Sequence, residues 1–216
     1  VISKRELTQL AVAIGLGLVV TVGLKLARPV GQDVGENSAA KEILQDRRAP
    51  RLESPGADVT MVVFTDYQCP ACKLADPAME AAVRADGRVR IVFRDWPIFG
   101  ARSEYAARVA LATDRQGIYL VVHSRLMAER RRLDDAVVRE NVEAAGGNWS
   151  KIQLELQRQP PEIARQLVSN SADAFRLGLD GTPSYLVGPI LVRGGMDERG
   201  FRRAFAAARA AQRKAS

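Results

Sequence analysis

Cys69 and Cys72, separated by Pro70 and Ala71, are the two cysteines of a 216-residue chain. Such a pair can close a structural disulfide, offer two ligands to a metal ion, or exchange electrons as a dithiol. A disulfide over so short a loop restricts the unfolded chain little, so it adds less stability than a long-range bridge. A structural zinc site needs four ligands, and the single histidine, His123, leaves the set one short. His123 reads instead as a packing or hydrogen-bonding residue on its helix. Redox exchange is therefore the favoured chemistry, through a reversible Cys69–Cys72 disulfide with no cofactor and no metal.

The flanking pattern says how the pair would be held. Val59 to Thr65 is a β-branched and aromatic run suited to a buried strand, and a helical pattern follows through Met79, Ala82 and Val83. Cys69 then falls at the helix start, where unpaired backbone N–H groups and the helix dipole favour a thiolate, which predicts a lowered pKa and the attacking role. Cys72, one turn further in, is the expected buried, resolving sulfur. Asp86-Gly87 makes a turn, and Arg88 to Arg94 alternates basic and apolar residues, which predicts a second strand with one solvated side. From about 102 to 179 the chain reads as helices alone. Tyr105, Val109 and Ala112 mark one; Ile118, Val121, Val122, Leu126 and Met127 mark the next. Asp134 is placed to cap a third, and Pro161 to open a long one ending near Gly178. Strands at Ser184 to Val187 and Ile190 to Arg193 follow around Gly188-Pro189, and Asp197 caps a final helix with Phe201, Phe205 and Ala208 inward.

Composition narrows the class. An apolar fraction of 47% and a charged fraction of 26% are those of a globular protein and exclude a disordered or polytopic membrane chain. The net charge of +7 raises nucleic acid as a partner, but no basic face with interleaved aromatics is present. The dense run Arg130-Arg131-Arg132 is flanked by Glu129, Asp134 and Asp135 and reads as a solvated helix face. No nucleic-acid partner is expected.

The first 30 residues differ from the rest. Lys4 and Arg5 precede an uncharged stretch from Leu7 to Leu24, closed by Lys25. That is a charged segment before an apolar one, between the length of a signal peptide's core and a full span. Ala27-Arg28-Pro29-Val30-Gly31 offers no small-x-small cleavage site, so an uncleaved N-terminal anchor is favoured over a signal peptide, with the bulk of the chain outside the cytoplasm. Residues 31–57, rich in Gly, Pro, Ser and charge apart from a short amphipathic patch at Ala40 to Leu44, read as a linker. The folded domain is expected over 58–213.

Phe64-Thr65-Asp66-Tyr67-Gln68-Cys69-Pro70-Ala71-Cys72-Lys73, followed by Gly181-Thr182-Pro183-Ser184-Tyr185, resembles the DsbA-like thiol:disulfide oxidoreductase family. Arg94 to Gly100, Tyr105 to Arg108, Gln116 to Tyr119 and His123 to Met127 are similar to its bacterial branch with a helical insertion. The resemblance covers about Val59 to Phe205. It implies an α/β thioredoxin-like fold, a central mixed sheet flanked by helices, with an inserted all-helical subdomain after an N-terminal hydrophobic helix. It implies that Cys69 is the exposed nucleophile, that Pro70 and Ala71 form the active-site loop with Thr182 and Pro183, and that the bond before Pro183 is cis. It also implies the partners: cysteine-containing clients of the periplasm or cell envelope, and a membrane redox partner that resets the dithiol. The chain departs from the family pattern twice. Ala71 stands where strongly oxidising relatives carry His, and Val63 where relatives often keep a buried carboxylate; Asp66 is nearer to Cys69 but expected closer to the surface. A tethered binding module, chaperone or soft-metal carrier without redox turnover is the alternative function.

Overall fold

A computed structural model describes Arg5 and residues 29–158 and 161–215. The chain divides into two compact units, Val1–Val30 and Gly31–Ser216. The apolar stretch from Leu7 to Leu24 lies outside the described residues. Among the described residues no helix is long and apolar enough to cross a membrane.

The second unit is built on one six-stranded sheet. Its strands are β1 (Gln32–Asp33), β2 (Arg51–Leu52), β3 (Val59–Thr65), β4 (Val89–Asp95), β5 (Ser184–Val187) and β6 (Ile190–Arg193), in the order β1-β6-β5-β3-β4-β2. β3 and β4 run parallel, Thr65 opposite Asp95, and the other pairs are antiparallel. Six of the seven residues of β3 are buried, as a strand covered on both faces requires. The helices are α1 (Ser38–Gln45), α2 (Pro70–Asp86), α3 (Ala101–Asp114), α4 (Tyr119–Ala128), α5 (Asp135–Ala144), α6 (Trp149–Gln157), α7 (Pro161–Arg176) and α8 (Glu198–Ala215). α2 packs on α8 over one face of the sheet, and α1 and α7 pack together over the other. Helices α3 to α7 form the insertion between β4 and β5. The fold is thus the thioredoxin-like one expected, with its helical insertion. Asp197 caps α8 through the Gly200 N–H, and Phe201, Phe205 and Ala208 are fully buried.

Four expectations need correction. Residues 31–57 are not a linker: β1 and β2 close the two edges of the sheet, and Ala39, Ala40 and Ile43 of α1 are buried against Phe64 and Leu186. Two-residue strands carry no alternation that a sequence can show. The expected solvated side of β4 is open only at Arg90, which pairs with Glu53: Arg94 is fully buried, with Nη2 2.7 Å from Asp46 and 3.4 Å from Asp173, and Nη1 3.3 Å from Asn170. Arg130 to Arg132 lie in the connection between α4 and α5 rather than on a helix, and Arg131 pairs with Glu129 and Glu140. Val121 is half exposed, and Tyr119 and His123 take the buried positions on α4.

Arg94 joins α1, β4 and α7, because its partners come from either end of the chain. Replacing it with methionine leaves Asp46 and Asp173 largely buried without their shared cation. The expected loss is about 3 kcal/mol of unfolding free energy, measured by denaturant titration.

Candidate functional site

β3 delivers the chain to the site and α2 carries it away. The turn after Thr65 closes with the Cys69 N–H donating to the Asp66 carbonyl at 3.1 Å. Cys69 is the N-cap of α2, in extended geometry, and its Sγ accepts from the Cys72 N–H at 3.4 Å. Pro70 occupies the first turn, where its missing N–H costs nothing. The sequence thus places a sulfur where a capping oxygen usually sits, facing the open N–H groups of the helix.

The second half of the site comes from the start of β5. Thr182–Pro183 is a cis peptide bond, and the Thr182 carbonyl lies 3.3 Å from Cys69 Sγ. The Gly194 N–H donates to the Pro183 carbonyl at 2.9 Å. At Gly195 a Cβ would come 3.3 Å from Ala75 Cβ and 3.9 Å from Pro183 Cγ. That glycine lets the turn after β6 reach both halves of the site; the only hint of it in the sequence is the Gly194-Gly195 pair. Cys69, Pro70, Ala71, Cys72, Thr182 and Pro183 are therefore all brought together.

Cys69 is not the exposed sulfur expected. Its residue is 2% accessible and Cys72 3%, because the Thr182–Pro183 turn lies over the pair; Pro70 and Ala71 stay exposed. Both cysteines are free thiols. Burial pushes the Cys72 thiol up to about 12, against the Thr65 hydroxyl, the Asp66 backbone N–H and the Thr182 hydroxyl, which favour its thiolate. Thr182 Oγ1 has no other partner.

Asp66 also departs from expectation. It is 1% accessible, and its carboxylate accepts from the N–H groups of Gln68 (2.7 Å), Ile98 (2.7 Å) and Phe99 (3.1 Å) and from Ser103 Oγ (2.7 Å). These bonds fasten the active-site turn to the start of α3. Leu133 N–H donates to the Gln68 side chain at 3.4 Å, and the Lys73 ammonium to the Glu129 carbonyl, so the insertion also holds the turn. Beside Gln68 a cavity of about 670 Å³ opens, lined by Phe99, Arg102, Tyr105, Asp134 and Asp135.

Beneath the turn lies a buried polar chain that sequence reasoning did not find. Tyr119 donates to Asp95 at 3.0 Å, and Tyr67 Oη lies 2.9 Å from His123 Nδ1. His123 has the hydrogen-bonding role expected of it. Burial lifts Asp95 to about 6, against His123 and the two tyrosines, which favour its charge. A carboxyl raised in the folded state adds stability that is complete below its unfolded value and is lost as the pH climbs through 6. Relative to Asp95→Asn, the unmodified protein should therefore lose about 3 kcal/mol between about pH 4 and pH 7, read from denaturant midpoints at each pH.

Three relatives show what this chain is similar to. It is 35% identical to a thioredoxin-like oxidoreductase from Silicibacter pomeroyi DSS-3, with a TM-score of 0.75 over 81% of this chain and 98% of that one. A periplasmic thioredoxin-like protein from Salmonella enterica serovar Typhimurium is 27% identical, with a TM-score of 0.70 over 80% and 97%. Over 191 residues, 87% of this chain, it is 26% identical to a Na(+)/H(+) antiporter, NhaA 1, of Mycolicibacterium vanbaalenii, of which it spans 29%. The chain thus spans less than a third of the curated relatives it matches. The model of the DSBA-like thioredoxin domain matches residues 60–206, across β3, the dithiol, the insertion and the first half of α8. The chain belongs to the DSBA-like thioredoxin domain family.

Proposed function

We propose that Cys69 and Cys72 are the redox centre and that the enzyme works through a mixed disulfide on Cys69 to form, isomerise or reduce disulfides in extracytoplasmic proteins. The carrying observation is the placement of Cys69 Sγ at the start of α2, accepting from the Cys72 N–H and 3.3 Å from the Thr182 carbonyl. That sulfur meets the Cys72 N–H at the helix start, while burial disfavours charge on Cys72. An oxidised centre is attacked at Cys69 by a client thiolate; the Cys69–Cys72 bond breaks and a second client thiolate releases the client disulfide. A reduced centre runs the same steps backward. The Thr182–Pro183 backbone lies against the sulfurs and suits an extended client segment. Ile98 and Phe99, half exposed beside the Gln68 cavity, offer it apolar contact.

The extracytoplasmic site is supported by the periplasmic neighbour and by the charged-then-apolar N-terminal sequence, which we read as an anchor. A membrane redox partner would then reset the dithiol. Turnover of a reduced, unfolded disulfide protein in glutathione buffer tests the reading. The unmodified chain should speed disulfide formation or reshuffling, and Cys69→Ser should fall to the uncatalysed rate. Equal rates with Cys69→Ser would overturn it.

A further inference from the structure

The dithiol needs a proton route, and the strand beneath it has no carboxylate: Val62, Val63 and Phe64 are all buried apolar residues. The nearest candidate on the same helix face is Asp76. Cys72 and Asp76 both belong to the buried face of α2, four residues apart, so their Cβ atoms lie about 6 Å from each other. Helical side chains lean toward the N-terminus, which carries the Asp76 carboxylate toward Cys72. Both also act on the same phenol, Tyr185 of β5, so they share one neighbourhood.

On its other side Asp76 meets His123. His123 Nε2 is 3.7 Å from Asp76 Oδ1 and has no hydrogen-bond partner, although it is buried. The Asp76 carboxylate accepts no hydrogen bond among the described residues. The ring is fixed from behind by the Tyr67 hydroxyl and by Phe93, with centroids 4.4 Å apart, and it stacks on Tyr119. A cavity of about 160 Å³ is lined by both Asp76 and His123, together with Glu80, Arg84 and Phe93. The other titratable or charged groups around the pair are few. From α2 they are Cys72, Glu80 and Arg84, the last two paired with each other at 3.3 Å. The active-site turn brings Asp66 and Tyr67, β4 brings Asp95, α4 Tyr119 and β5 Tyr185.

We propose that Asp76 takes and returns the proton of Cys72 during exchange, and that His123 is the positioning residue that passes it to the cavity. The proposal rests on the reading of Cys69–Cys72 as the exchange dithiol. In the reducing direction Cys72 gives its proton to Asp76 and its sulfur attacks Cys69. The Cys69–Cys72 bond forms and the Cys69–client bond breaks, and the electron pair leaves on the client sulfur. The dithiol is oxidised, the client disulfide is reduced, and the proton leaves Asp76 through His123. In the oxidising direction Cys72 departs from Cys69 as a thiolate and Asp76 returns the proton.

The test uses the full chain in its reduced form with oxidised glutathione, quenched in acid, with mass spectrometry counting free dithiol, Cys69 adduct and internal disulfide. This separates attack by Cys69 from resolution by Cys72. With an internal acceptor, the resolving rate of the unmodified chain holds a plateau from neutral pH upward. A thiol near 12 that loses its proton to solvent instead gives a rate rising tenfold per pH unit to pH 10 and beyond, and that slope would overturn the proposal without any substitution. Asp76→Asn should slow resolution by about a hundredfold at pH 7 and acquire that slope, while Asp76→Glu keeps the plateau. An unchanged plateau in Asp76→Asn would also overturn it. Failure of the unmodified chain to form any Cys69 adduct would instead sink the dithiol reading on which it rests.

Discussion

Cys72→Ser should turn a transient adduct into a stable one, with client proteins recovered disulfide-linked to Cys69 after acid trapping. In the unmodified protein the resolving sulfur sits three residues from Cys69, and the Cys72 N–H already bonds to Cys69 Sγ. Any mixed disulfide therefore has an intramolecular partner at high effective concentration. Serine keeps the backbone donor and removes the sulfur, so release must await an external thiol. The adduct lifetime should lengthen by about a thousandfold or more. Cys69→Ser should give no adducts, since burial makes the Cys72 thiol resist ionisation. Equal adduct yields from the two variants would mean that the roles of the sulfurs are not divided as described.

Asp66→Ala should destabilise the fold by about 4 kcal/mol, a large effect for a residue outside the dithiol. Its carboxylate is the acceptor for three backbone N–H groups and one hydroxyl in a buried site. Alanine leaves all four donors facing a space too poor in oxygen to satisfy them. Asp66→Asn, which keeps one acceptor oxygen, should cost about half as much. Chemical denaturation with an unchanged slope checks both values. A loss below about 1 kcal/mol for alanine would mean that solvent or a shifted turn supplies the missing acceptors.

The legible part of this protein was the part written in local patterns. The Val59–Thr65 run, the helix after Cys69, the helical insertion and the capped final helix each occupy contiguous sequence with its own period, and each is present. The site residues were readable because chemistry at a Cys-x-x-Cys and a Thr-Pro far along the chain is marked by residue type. What was not legible depends on contacts between distant segments. β1 and β2 are two residues each and are defined by their partners on β6 and β4. Arg94 sits in a strand whose alternation suggests solvent, and is buried because Asp46 and Asp173 converge on it from α7 and the chain after α1. Asp66 looked like a surface residue of a turn until Ile98, Phe99 and Ser103 came down on it. The chain from Asp95 through Tyr119 and Tyr67 to His123 draws on a strand, a turn and a helix, and no spacing announces it.

The measurement that bears most directly on the central claim is a redox titration of the full chain in glutathione buffers, read by mass after thiol trapping. A reversible Cys69–Cys72 disulfide predicts one two-electron transition with a midpoint between about −120 and −270 mV, both thiols disappearing together. Cys69 and Cys72 remaining reduced across that range, or reacting with glutathione independently without forming an internal disulfide, would contradict it.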